Sequence, residues 1–291
     1  GMAVFNPKSI ELLFQEPRSD GQFAGEALLH MRRLGKKRRA IVLAFPPKSA
    51  GTYLRSAIVF AANGQLVRAV HAQGGRDAQP YLPVFLSYFE GGVTNRTLVA
   101  HLHMQALPAN IHFLEAFDIR PVVMIRNIPD MLASFWDMLE TDSVARLDGL
   151  NCRIPQNFTD MPRADKADFI VDILGPWYAS FFATWFAYAE QSPERVCFLT
   201  YDEFRADPAE TLARALAHAG VEQPQEVCEQ ALETVWEKRA DFRFNKGETG
   251  RGLSYFSSQQ IDRLRRQLGH YEILAPHIEM LLRAGGGVTS H

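Results

Sequence analysis

Four short apolar runs rich in β-branched residues, at 41–45 (IVLAF), 98–102 (LVAHL), 122–125 (VVMI) and 196–200 (VCFLT), alternate with segments of helix length. Runs so short, with little polar alternation, read as strands buried on both faces, the habit of a parallel sheet. Parallel neighbours need long crossovers, and the intervening segments can supply them as helices. The alternation predicts an α/β fold over residues 1–291, read as one domain, with a central parallel sheet flanked by helices. Ligands are expected at the carboxyl ends of the strands.

Chemistry is therefore sought just after each strand. The first run leads directly into Pro46, Pro47, Lys48, Ser49, Ala50, Gly51, Thr52, Tyr53 and Leu54, after which 55–62 reads as a helix. This is a P-loop-like strand, loop and helix suited to phosphate. Small residues let successive backbone N–H groups converge on an anion, the helix N-terminus adds partial positive charge, and Lys48 adds a mobile cation. It is not a Walker A loop, because the lysine precedes the glycine and no leading glycine exists. After the strand at 122–125 come Arg126, Asn127, Ile128, Pro129, Asp130 and, a turn later, Ser134. Asn127 can cap a helix and Pro129 fits its first turn, so Arg126 and Ser134 converge as a phosphate clamp of guanidinium and hydroxyl.

Other segments read as scaffold. Trp177, Phe181 and Trp185 recur at helical spacing in a segment apolar on most faces, which reads as a core helix. Asp207, Pro208 and the stretch ended by Gly220 read as cap, first-turn proline and amphipathic helix. Segments 142–166 and 241–254 are irregular and polar, the kind of loop that carries function.

The balance of 31 basic against 33 acidic residues gives a net charge of −2. No global field points to nucleic acid or to an anionic membrane, so an anion must be gripped locally. Cys152, Cys197 and Cys228 form no CxxC pair, which argues against a disulfide framework or structural zinc and for a reducing compartment. Gly1 ahead of Met2 reads as a vector remnant, no signal peptide is expected, and no window reaches the length of a membrane-spanning helix. A cytoplasmic protein without membrane insertion is the expectation, with oligomeric state open.

These motifs closely resemble those of the PAPS-dependent (3'-phosphoadenosine-5'-phosphosulfate) sulfotransferases of the cytosolic type. The family's PKSGTTW loop is matched by Lys48, Ser49, Ala50, Gly51, Thr52 and Tyr53, and its RxxxDxxxS motif by Arg126, Asp130 and Ser134. The segment from His101 to Pro108 is similar to HLPxxxLP, and Gly175 to Tyr178 with Trp185 to GSWYEHVxxWW. Tyr201 to Phe204 with Asp207 and Pro208 resembles YEDL and the DP that follows it. Phe244, Asn245, Lys246, Gly247 and Gly250 resemble FRKGxxG. The likeness runs in order from about residue 41 to residue 268.

The resemblance implies in-line transfer of a sulfuryl group from PAPS to the hydroxyl of a small, partly apolar acceptor, without a metal. It makes His101 the base and has Lys48 stabilise the leaving oxygen. It also places Tyr201, Lys246 and Gly247 at the nucleotide. An unperturbed imidazole, of pKa about 6.5, suits the base's work near neutrality. His103 shares a strand face with His101 and is a rival base. The pattern departs at Val99 and Ala100, where a lysine and a hydroxyl residue are usual, at Asn245 for arginine, at Arg251 and Gly252 for aspartate and tryptophan, and at Ser180 for histidine. A P-loop small-molecule kinase and a non-catalytic nucleotide-binding protein are the alternatives. Tyr81, Phe85, Tyr88, Phe89 and Phe158 are candidate walls for the acceptor.

Overall fold

Strand β1, Ala40–Ala44, is buried at every residue, and its alternating side chains divide the interior in two. Val42 and Ala44 face the larger core, while Ile41 and Leu43, followed by Phe45, face a smaller one. This computed structural model describes residues 21–71, 79–90, 95–143, 149–238 and 250–283.

In chain order the helices and strands are α1 (Gly21–Lys37), β1, α2 (Gly51–Ala61), β2 (Gly64–Val67), α3 (Leu82–Glu90) and β3 (Thr97–Leu102). Then come α4 (Pro108–Ala116), β4 (Val122–Ile125), α5 (Ile128–Thr141), α6 (Arg163–Phe169), α7 (Gly175–Gln191) and β5 (Cys197–Thr200). The chain continues through α8 (Tyr201–Ala206), α9 (Pro208–His218), α10 (Gln225–Glu237), α11 (Gly252–Tyr255), α12 (Ser258–Gly269) and α13 (Ile278–Leu282). The five strands lie in the order β2-β3-β1-β4-β5, and all pairs are parallel. Helices α2, α9 and α10 cover the smaller core, and α5, α7 and α12 contribute to the larger.

The four strands read from the sequence are present within a residue at each end. β2 was not read, because its four residues include only two apolar side chains and pair along one edge only. Helix α2 starts at Gly51 rather than at Arg55, since Ala50 turns into the left-handed region at φ 64° and sets the helix going one turn early. The described part of 142–166 is less irregular than expected, with short helical turns at Gly149–Asn151 and Phe158–Asp160 before α6 begins.

α6 runs without a break through a π-helical turn, Ile170–Leu174, into α7. The resulting stretch Arg163–Gln191 spans 29 residues and is long and apolar enough to cross a membrane, which corrects the expectation that no segment reaches that length. Tyr178, Phe181, Phe182 and Trp185 on it are fully buried, so its apolar character is that of a core helix. Three of its side chains hold the chain beyond β3. Trp185 donates Nε1 to the Met104 carbonyl (3.0 Å), Thr184 Oγ1 accepts from the Ala106 amide (3.0 Å), and Ser180 donates to Gln105 Oε1 (2.6 Å). Ser180, where the sulfotransferase pattern has histidine, is thus a tie between α7 and the strand β3 exit.

Trp185→Phe trims a fully buried indole to a smaller ring and leaves the buried Met104 carbonyl without this donor. It is expected to cost about 1–3 kcal/mol of stability, read as a lower urea midpoint at unchanged slope.

Candidate active site

The end of β1 leads into loop 46–50, with Arg126 at the end of β4 bonded to it and His101 at the end of β3 set against Phe45. Lys48 and Ala50 both take φ 64°, a left-handed conformation that disfavours side chains and that tends to be retained at binding sites. Ala50 is the N-cap of α2 and gives it no side-chain cap, so the helix presents its first N–H groups at the loop. Ser49 is buried, and its amide closes a turn on the Pro46 carbonyl at 3.2 Å.

Two donors hold this loop from behind. The buried Tyr178 hydroxyl on α7 donates to the Pro47 carbonyl (2.6 Å), and Arg126 Nη1 donates to the Lys48 carbonyl (2.8 Å). Gly51 is required by packing, because a Cβ there would overlap the ring of Phe45. Phe45 in turn sits edge-on to the His101 ring at 5.4 Å. The loop and the histidine are therefore set against one aromatic spacer.

His101 lies on β3 in register with Leu43 of β1 and is buried. His103 is half-buried, with its ring 5.6 Å from that of His101, so both histidines do share one side of the strand exit.

Arg126 follows β4 and stacks its guanidinium over the Tyr201 ring at 4.5 Å. Burial pushes its pKa below the ordinary arginine value, and the charge of Arg251 acts in the same direction, while Tyr201, Asp130 and Tyr178 oppose them. Its Nε is buried and has no hydrogen-bond partner among the described residues. A half-buried guanidinium bonded to a carbonyl and a ring is chemically suited to an anion. Ser134, buried on α5, lies two turns along.

Asp130 turns out to be structural. Asn127 caps α5 by accepting from the Asp130 amide (2.9 Å) and donates its own amide to the Asp130 carboxylate (2.8 Å). The same carboxylate accepts from the Gly250 and Gly252 amides at 3.0 and 2.8 Å. Gly252 cannot carry a side chain, since a Cβ would overlap the Pro129 backbone. Arg251 pairs with Asp137 and donates to the Tyr255 hydroxyl (3.0 Å). The unusual Arg251 and Gly252 thus have partners of their own. Lys246 and Gly247 lie outside the described residues.

Tyr53, on the first turn of α2, donates its hydroxyl to the Leu232 carbonyl (3.0 Å) and meets Phe204 and Trp236 at ring distances of 5.5 and 5.8 Å. Trp236 is 46% exposed and was not read from the sequence. A tryptophan at the solvent edge of the amphipathic α10 was the available signal. Of the candidate acceptor walls, Phe85, Phe89 and Phe158 are core residues, packed against neighbours such as Phe113, Phe117 and Phe169. Tyr81 is exposed and Tyr88 half-buried. Among the described residues no group of three or more histidine, cysteine or acidic side chains is placed to hold a metal.

The sulfotransferase domain profile matches residues 39–266, which is most of the chain and includes every motif above. No curated protein matches at a significant level. Among solved structures, the mouse sulfotransferase SULT7A1 complexed with PAP is similar in fold, with a TM-score of 0.60 at 14% identity over 85% of this chain and 91% of that one. The chain belongs to the sulfotransferase domain family.

Proposed function

We propose that the protein transfers a sulfuryl group from PAPS to the hydroxyl of a small acceptor, and that loop 46–50, Arg126 and Ser134 hold the donor. The observation that carries this reading is the half-buried Arg126 guanidinium, whose bonding among the described residues is to neutral groups and which stands beside a left-handed loop and an uncapped helix N-terminus. A 5'-phosphosulfate suits the loop, where backbone N–H groups and Lys48 meet the negative oxygens. A 3'-phosphate suits Arg126 and Ser134. Tyr53 and the exposed Trp236 offer aromatic faces to the adenine.

In this reaction the acceptor oxygen attacks sulfur as its proton passes to His101. The bond from sulfur to the bridging phosphate oxygen breaks in line, and the electron pair leaves on that oxygen, releasing adenosine 3',5'-bisphosphate. Lys48 offsets the charge that develops there. As in phosphoryl transfer, positioning and electrostatics carry most of the work. The edge contact of Phe45 fixes one side of the His101 ring and favours it over the less buried His103 as the base.

Calorimetric titration without metal is expected to show adenosine 3',5'-bisphosphate binding more tightly than ATP. Arg126→Gln should weaken the bisphosphate by about 1.5–3 kcal/mol, as for loss of a charged hydrogen bond. A preference for ATP with magnesium would sink the assignment.

His101→Ala is expected to lower sulfuryl transfer by about 10²–10⁴-fold while leaving bisphosphate affinity nearly unchanged. A loss confined to His103→Ala would move the base to that residue.

A further inference from the structure

We propose that Arg251 is a second guanidinium of the anion pocket formed by Arg126 and Ser134, held in place by Asp137 and Tyr255. The proposal rests on the reading of that pocket as the seat of the donor's 3'-phosphate, and it assigns a chain-specific residue to it.

The geometry begins on α5. Asp130, Ser134 and Asp137 recur at spacings of four and three residues, so they line one face of the helix. Arg126 stands just ahead of the N-terminus of the same helix. The segment from Gly250 to Tyr255 crosses this face. Asp130 grips it on both sides of Arg251, through the amides of Gly250 (3.0 Å) and Gly252 (2.8 Å). Gly252 lets the backbone lie directly on Pro129, so the Cα of Arg251 is fixed against the first turn of α5.

The side chain then reaches along the helix. Nη2 of Arg251 donates to the carboxylate of Asp137 and to the hydroxyl of Tyr255 (3.0 Å). A guanidinium has five N–H donors in a fixed fork, and the hydrogen bonds found among the described residues use only Nη2. Nη1 and Nε carry the remaining donors. Burial alone would lower the Arg251 pKa, but the hydrogen bond and charge of Asp137 outweigh it and hold the group firmly cationic. Its charge is near enough to Arg126 to press that guanidinium down.

The guanidiniums of Arg126, ahead of α5, and Arg251, on the segment that crosses it, repel each other, and an anion between them relieves that repulsion. A phosphate monoester carries nearly two negative charges near neutrality, which Arg126 alone would leave half balanced. Arg251, whose charge is already offset by Asp137, adds directed donors through Nη1 and Nε. The sequence pattern has arginine beside Lys246, where this chain has Asn245, so a cation is missing at 245 and one is gained at 251.

The test is calorimetric titration of the full chain with adenosine 3',5'-bisphosphate and with AMP, which lacks the 3'-phosphate. Arg251→Gln is expected to weaken the bisphosphate about tenfold and to leave AMP unchanged. Arg251→Lys keeps a cation beside Asp137 but lacks the fork, so an intermediate loss for the bisphosphate alone is expected. It also carries the test if the glutamine variant does not fold. Equal losses for both nucleotides, or no loss for either, would reduce Arg251 to a staple between α5 and the turn at 250–255 and overturn the proposal. If the unaltered protein shows no preference for the bisphosphate over AMP, the 3'-phosphate reading fails and this proposal with it. Failure confined to the variants leaves that reading standing.

Discussion

Two hydrogen bonds to consecutive carbonyls, from Tyr178 to Pro47 and from Arg126 to Lys48, hold the loop on which the site is built. A loop with two left-handed residues other than glycine stores strain, on the order of 1–2 kcal/mol each, and keeps its shape only when its surroundings impose it. The donors come from α7 and from the end of β4, elements fixed by the core rather than by the loop. Phe45 extends the same logic to His101, because its ring needs the space left by Gly51 and supports the imidazole on its other side. Anion loop, clamp and base are therefore positioned together.

A second dependency links parts of the chain that are distant in sequence. The carboxylate of Asp130 is buried, yet it is satisfied by the Asn127 amide and by two backbone N–H groups more than a hundred residues away. A buried charge with this many donors is stabilised and directional. It ties the helix that follows Arg126 to the turn that carries Arg251, and so draws residues from both regions onto one surface.

Much of this was legible in the sequence, for identifiable reasons. The strand runs at 41–45 and 122–125 are unambiguous because a central parallel strand has no polar face to confuse the pattern. Asn127 with Pro129, and Asp207 with Pro208, announce their helices through local chemistry that tertiary packing did not override. What escaped was decided at long range. β2 is specified by its register with β3 more than by its own composition. Phe85, Phe89 and Phe158 read as candidate acceptor walls, and only packing assigns them to the core. Trp236 acquires meaning from Tyr53, which lies far away in the chain. The role of Asp130 could not be read from the α5 motif alone, because two of its three hydrogen-bond partners lie beyond residue 249.

The π-turn at Ile170–Leu174 bears on how this fold tolerates changes in chain length. A π-turn accommodates a residue more than an α-turn does, and each residue of helix advances the side-chain direction by about 100°. Helix α7 thus leaves the turn rotated relative to a continuation of α6. That phase brings the Tyr178 hydroxyl to the Pro47 carbonyl and Ser180, Thr184 and Trp185 to the strand β3 exit. Deleting one residue between 170 and 174 would heal the helix while dialling every one of these contacts away from its partner. The bulge is a phase adjuster, and the reading frame of the active site is set in a helix that reaches the anion loop through the Tyr178 hydroxyl.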